Sequence, residues 1–195
     1  MIESKLQINN LSQLKAHLAD HKIDYSKWEL KNVSDLLKEI EQGDCQLWVS
    51  QGEHQQESKL TRKVKVGYCH ISCKGKWIKE LRQEWQNGII KERMQPVAGK
   101  LNTALPTKEE MAREIVEELS LPCTILPVIK ASLAVKETTT KYGDSPFYPG
   151  LPAVWDATVF EWQMPEEFWS EEYVEKQDNK ITRFGWVDHP PAIAL

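Results

Sequence analysis

The chain has 195 residues, enough for one compact domain with an extension or at most two small ones. Lys and Arg total 25 against 29 Asp and Glu, giving a formal charge of −4 and a pI near 5.8, which excludes a polyanion-coating protein as a class. With 41% hydrophobic residues and eight Trp, wholesale disorder is excluded too.

The opening decapeptide MIESKLQINN lacks the basic start and apolar centre of a secretory signal, so a cytoplasmic protein is expected. No apolar run reaches membrane-spanning length, the longest candidate (Pro127 to Val135) being cut by Lys130. Neither bulk nucleic acid nor a membrane is therefore an expected partner. Cys45, Cys69, Cys73 and Cys123 are too scattered for a disulfide scaffold and read as free thiols.

Leu11, Leu14 and Leu18, then Leu36, Leu37 and Ile40, recur at helical spacing, the second set preceded by Ser34 as a cap and followed by Gly43. The first fifty residues are thus expected to be helical. Residues 50–59, SQGEHQQESK, carry almost no apolar side chains and read as a loop. The boundary is placed there, with 1–58 as a small helical extension and linker and 59–195 as the main domain. Val64, Val66 and Tyr68 alternate with charged or small residues, and the runs Trp77 to Trp85 and Ile89 to Val97 also read as strands. Lys74-Gly75 and Asn87-Gly88 sit between these runs, where tight hairpins need positive φ. A strong helix is predicted from Thr107 to Leu119. After it come a strand over Ile125 to Val135, a Pro- and Gly-rich loop from Asp144 to Pro152, a strand at Val154 to Trp162, a polar segment from Glu166 to Lys180 and a last apolar run from Phe184 to Val187. The fold class is α+β.

The helix concentrates the chemistry. Thr107 and Glu110 have capping-box spacing. At about 100° per residue from Glu114, Glu110 falls near −40°, Glu117 near −60° and Glu118 near +40°, so four carboxylates share one face. Ala112, Ile115, Val116 and Leu119 occupy the opposite, buried face. Like charges at this spacing repel by a few tenths of a kcal/mol per pair. Glu117 and Glu118 also sit in the last turn, where the helix dipole disfavours anions. A bound divalent cation would reverse both penalties, and carboxylates are hard oxygen ligands suited to Mg²⁺. A solvated Glu-rich face is the plain alternative.

From Gly99 the segment GKLNTALPTKEEMAREIVEELSL resembles the Nudix box, whose pattern is Gly, five residues, Glu, seven residues, then Arg-Glu-apolar-any-Glu-Glu-any-Gly-apolar. Gly99, Arg113, Glu114, Ile115, Glu117, Glu118 and Leu121 fall in register. Leu105 replaces the first Glu and Ser120 the later Gly. The resemblance implies a Nudix-like αβα sandwich with a mixed sheet from about residue 60 onward, and metal-assisted hydrolysis of a pyrophosphate bond in a nucleoside diphosphate linked to another group. It implies that Glu114, Glu117, Glu118 and the Gly99 carbonyl hold Mg²⁺ or Mn²⁺, with Glu117, Glu118 and Arg113 as catalytic residues. A Nudix-fold binding or regulatory module without turnover is the alternative, favoured by Leu105. Arg113, lacking the first box Glu, is expected to pair with Glu109 or Glu110. Ser120 is expected to end the helix in a conformation that glycine takes freely. A base often comes from the box or a later loop, so Glu166, Glu167, Glu171 and Glu172 are candidates.

For a nucleotide-type substrate, Tyr148 in the Pro-rich loop is the stacking candidate, while Arg93, Lys100 and Arg82 are candidates for holding phosphate. Cys69 and Cys73 on one strand would stand about 13 Å apart, too far to share zinc. The N-terminal helices and Trp-rich surface are read as a homodimer or docking element.

Overall fold

The computed structural model describes residues 2–51 and 58–193. In chain order the elements are β1 (Ile2–Lys5), α1 (Leu11–Asp20), α2 (Val33–Gln42), β2 (Gln46–Gln51), β3 (Ser58–Cys73), β4 (Lys76–Trp85), β5 (Ile90–Glu92), β6 (Val97–Leu101), α3 (Thr107–Glu118), α4 (Leu126–Ser132), β7 (Ala134–Ser145), β8 (Tyr148–Gln163), β9 (Tyr173–Gln177) and β10 (Lys180–Val187). Single 3₁₀ turns lie at Tyr25–Lys27, Cys123–Ile125 and Glu166–Phe168. The protein is α+β with mostly antiparallel strand pairing. Among the described residues no helix is long and apolar enough to cross a membrane.

The chain forms two compact units. One comprises Met1–Lys65, Lys100–Ala104 and Thr139–Asp156, the other Val66–Gly99, Leu105–Thr138 and Ala157–Leu195.

In the first unit the two expected helices form. The Asn10 side chain caps α1 by accepting from the Gln13 N–H at 2.9 Å. Asn32, not Ser34, caps α2, accepting from Ser34 and Asp35 N–H while the Asp35 carboxylate accepts from the Asn32 N–H. Gly43 ends α2 at φ +83°, a value its missing Cβ permits. The N-terminal fifty residues are nevertheless not helical throughout. β1 pairs antiparallel with β2, and β2 with β3, in registers Lys5↔Trp48 and Trp48↔Thr61. Leu14, Leu18, Leu36, Leu47 and Leu60 form the core. Six residues of the expected loop, 52–57, lie outside the described residues. The expected loop at Asp144 to Pro152 is instead a strand pair, β7 with β8, turning over Pro146 and Phe147 alone.

In the second unit the hairpin at Lys74-Gly75 forms with φ of +50° and +74°, the signature of a type I′ turn. Asn87-Gly88 turns β4 into β5, Trp85 N–H donating to the Ile89 carbonyl at 2.8 Å. β10 lies antiparallel to both β4 and β9, placing Gln83, Thr182 and Glu175 side by side on one face. A bulge at Leu81 brings Glu80 onto that face as well. The expected strand from Ile125 to Val135 is a 3₁₀ turn followed by α4, because Pro127 fits the first turn of a helix, where its missing N–H costs nothing. α3 buries Met111, Ala112, Ile115 and Val116 and packs against α4 and β9. Trp169 and Trp186 stack with centroids 3.9 Å apart and planes inclined by 12°. The Lys74 ammonium lies 5.1 Å from the centroid of the Trp169 ring.

Candidate active site

The acidic helix begins without the expected capping box. Pro106 precedes α3 and no side chain caps it; the Glu110 carboxylate accepts from Arg113 at 3.1 Å. Its other end is more regular. Ser120 takes φ +51°, its N–H donates to the Glu117 carbonyl and the Leu121 N–H to the Val116 carbonyl, the two bonds of a Schellman motif. The Ser120 hydroxyl donates to the Val174 carbonyl at 3.0 Å, so the residue in glycine's place also ties α3 to β9.

Arg113 sits amid the carboxylates. Its Nη1 donates to Glu117 at 2.6 Å, and its Nη2 to Glu114 at 2.6 Å and to Glu110. Repulsion among these three is therefore offset within the helix by Arg113. Burial opposes the Arg113 charge, yet the bonds to Glu110 and Glu117 raise its pKa further. Glu110 is one of the partners expected for Arg113; Glu109 instead bonds Lys130. Glu117 is 55% exposed and turned to Arg113.

Glu118 differs from its neighbours. It is half-buried and makes no ion pair among the described residues. Burial, then the charges of Glu114, Glu175 and Glu80, push its carboxyl well above the usual range, with Lys180 opposing. Glu114 is raised to about 7, by burial first, with Arg113 opposing and Glu117 adding to the shift. A Cβ at position 99 would overlap the Glu114 carboxylate, so Gly99 is the residue that lets β6 backbone and this carboxyl meet.

Of the carboxylates expected to hold a divalent cation, Glu117 is turned to Arg113, Glu114 lies against the Gly99 backbone, and Glu118 follows Glu114 one helical turn on. No three His, Cys, Asp or Glu groups converge closely enough to hold an ion among the described residues. Mg²⁺ is commonly held by only one or two carboxylates together with substrate phosphates, and a pair fits that mode.

The other candidates scatter. Tyr148 is fully buried, its ring edge-to-face with Trp28 and under Arg62, so it offers no face for stacking; this corrects the expectation placed on it. The physical reason is that the Pro-rich segment is strand, not loop, and Tyr148 faces the core. Lys100 donates to Glu39 at 2.9 Å. Arg93, 30% exposed, lies 3.4 Å from the Glu80 carboxylate. Arg82 pairs with Glu84 at 2.7 Å. Glu166, Glu167, Glu171 and Glu172 are all exposed, Glu166 lying 3.9 Å from Lys74 and Glu172 bonding Arg183. Sequence reasoning missed Glu80 and Glu175, the acids whose charges reach Glu118. Glu80 is buried, accepts from Gln95 at 3.1 Å and leaves Oε1 without a partner. The alternation of β4 gave one available signal, Glu80 in register with the buried Ile78, but the bulge at Leu81, which brings Gln83 onto the same face, has none.

No family model and no curated protein matches the chain. Among solved structures it is similar to an Ap4A hydrolase of C. elegans in a binary complex, at 16% identity and a TM-score of 0.30, covering 52% of this chain and 68% of that one. It is also similar to the mutator protein MutT of Bacillus halodurans, at 14% identity and a TM-score of 0.26, over 53% of this chain and 61% of that one. The chain thus matches less than two thirds of the MutT protein.

Proposed function

We propose that this protein is a Nudix-type hydrolase that cleaves a pyrophosphate bond in a nucleoside diphosphate linked to another group. The observation that carries the reading is the pair Glu114 and Glu118 on one helix face, the first against the backbone of Gly99 and the second half-buried with no ion pair among the described residues. Burying such groups is unfavourable unless something charged or hydrogen-bonding meets them. Glu114 and Glu118 would hold Mg²⁺ or Mn²⁺, with the Gly99 carbonyl as a further oxygen. Such an ion lowers the pKa of an attacking water and clamps charge growing on phosphoryl oxygens. Arg113 fixes the rotamer of Glu114 through its 2.6 Å bond. Arg93, in the same unit and paired with Glu80, would be a cation for phosphate.

The test is a screen of nucleotide sugars, dinucleoside polyphosphates and ADP-ribose with Mg²⁺ or Mn²⁺, measuring phosphate or nucleotide release. Turnover is expected, and Glu118→Gln should reduce it at least about a hundredfold. An unchanged rate in the variant places the chemistry elsewhere.

A second reading, a nucleotide-binding module without turnover, is favoured by Arg113. Its guanidinium already neutralises Glu114 and Glu117, and Leu105 is 46% exposed where the box pattern has its first Glu. Nucleotide binding by calorimetry with no product release would select it.

A further inference from the structure

In the first unit Glu39 is buried and accepts from three cations. Lys31 and Lys100 donate to its Oε1, Lys100 at 2.9 Å, and Arg62 donates to its Oε2 at 2.6 Å. The three come from different elements: the loop before α2, β3 and β6. They bring far more N–H donors than one carboxylate has lone pairs to receive. Arg62 is almost wholly buried, and its Nε lacks a well-formed hydrogen bond. Asp44, the other acid whose charge reaches the cluster, makes no ion pair with any of the three among the described residues. Burial pushes the neighbouring Cys45 thiol up to about 11, so it supplies no negative charge at neutral pH. The group is therefore rich in cations and short of acceptors. Lys31 and Lys100 are each about a third exposed, which leaves their ammonium groups reachable from solvent.

We propose that Lys31 and Lys100, with the buried Arg62 adding positive charge behind them, form a binding site for a phosphate-type oxyanion. A tetrahedral, multiply charged anion presents acceptors in several directions, which suits cations converging from three elements better than a planar carboxylate does. Phe147, 45% exposed, lies with the Lys31 ammonium 5.3 Å from its ring centroid, so an apolar face borders the cations. The anion is either free phosphate or the phosphoryl group of a nucleotide whose base covers that ring. The site does not depend on hydrolysis at α3 and holds whether or not the protein turns over substrate.

The test is calorimetric titration of the full chain with inorganic phosphate and, separately, with adenosine monophosphate, in the absence of divalent cations. Saturable binding is expected. Lys31→Ala should weaken it at least about tenfold, whereas Lys31→Arg, which keeps the charge, should stay within about threefold of the parent. Tighter binding of the nucleotide than of phosphate assigns the phosphoryl source, and equal affinities assign the free ion. Absence of heat with both probes at millimolar concentration overturns the proposal. So does a Lys31→Ala protein of unaltered melting temperature that binds like the parent.

Discussion

Glu114 is harder to ionise folded than unfolded, its pKa moving from an ordinary 4.5 to about 7. A raised carboxyl contributes stability that is complete below the unfolded pKa and is lost as pH rises through the folded one. Glu118 moves in the same direction. Without divalent cations, the melting temperature is therefore expected to fall between about pH 5 and pH 8. Millimolar Mg²⁺ should restore it, with a larger upward shift at the higher pH, because the cation competes with protons for these oxygens. Differential scanning calorimetry reads both effects, and a Mg²⁺ shift of equal size at the two pH values would place the ion away from the pair. The meeting of Glu114 with Gly99 and Arg113 was legible because a motif fixes their spacing. Tyr148 was misread because local sequence does not say which face of a strand meets the core. Glu80 and Glu175 went unread because their approach to α3 depends on pairing between strands far apart in sequence.

The two ends of α3 stand differently to their sequence signatures. At the start, Thr107 and Glu110 have the spacing of a capping box, but the helix begins after Pro106 with no side-chain cap, and the Glu110 carboxylate accepts from Arg113. At the end, Ser120 stands in a left-handed conformation that glycine adopts without strain. Ser120→Gly should gain up to about 1 kcal/mol from backbone relief, reduced by loss of the hydroxyl bond to the Val174 carbonyl. Urea unfolding checks the sign, and a clear loss of stability would mean that the tie to β9 outweighs the strain. The helices with long apolar stripes and the Gly-bearing hairpins were readable, since period and positive φ leave local marks. The Ile125 to Val135 run was not, because a short apolar stretch has no period that separates strand from helix.

Across the molecule, the two units carry opposite electrostatic liabilities. The second holds carboxylates short of partners, whereas the first holds a carboxylate with three cations. Burial alone would raise the Glu39 pKa, but the bonds from Lys31 and Lys100 and the Arg62 charge bring it down to about 2. A lowered carboxyl contributes stability above its unfolded value of 4.5 and loses it as pH falls toward 2. Glu39→Gln should cost about 3 kcal/mol in denaturant unfolding at neutral pH, since it leaves the buried Arg62 uncompensated. A cost near zero would show the three cations to be solvated well enough without it. The stacked indoles of Trp169 and Trp186 both belong to the second unit. Rings so close and so nearly parallel couple their electronic transitions, giving a split circular-dichroism band that Trp169→Phe should abolish. That signal would follow the melting of one unit alone, so a chain with two units carries its own optical means of telling whether they unfold together or in turn.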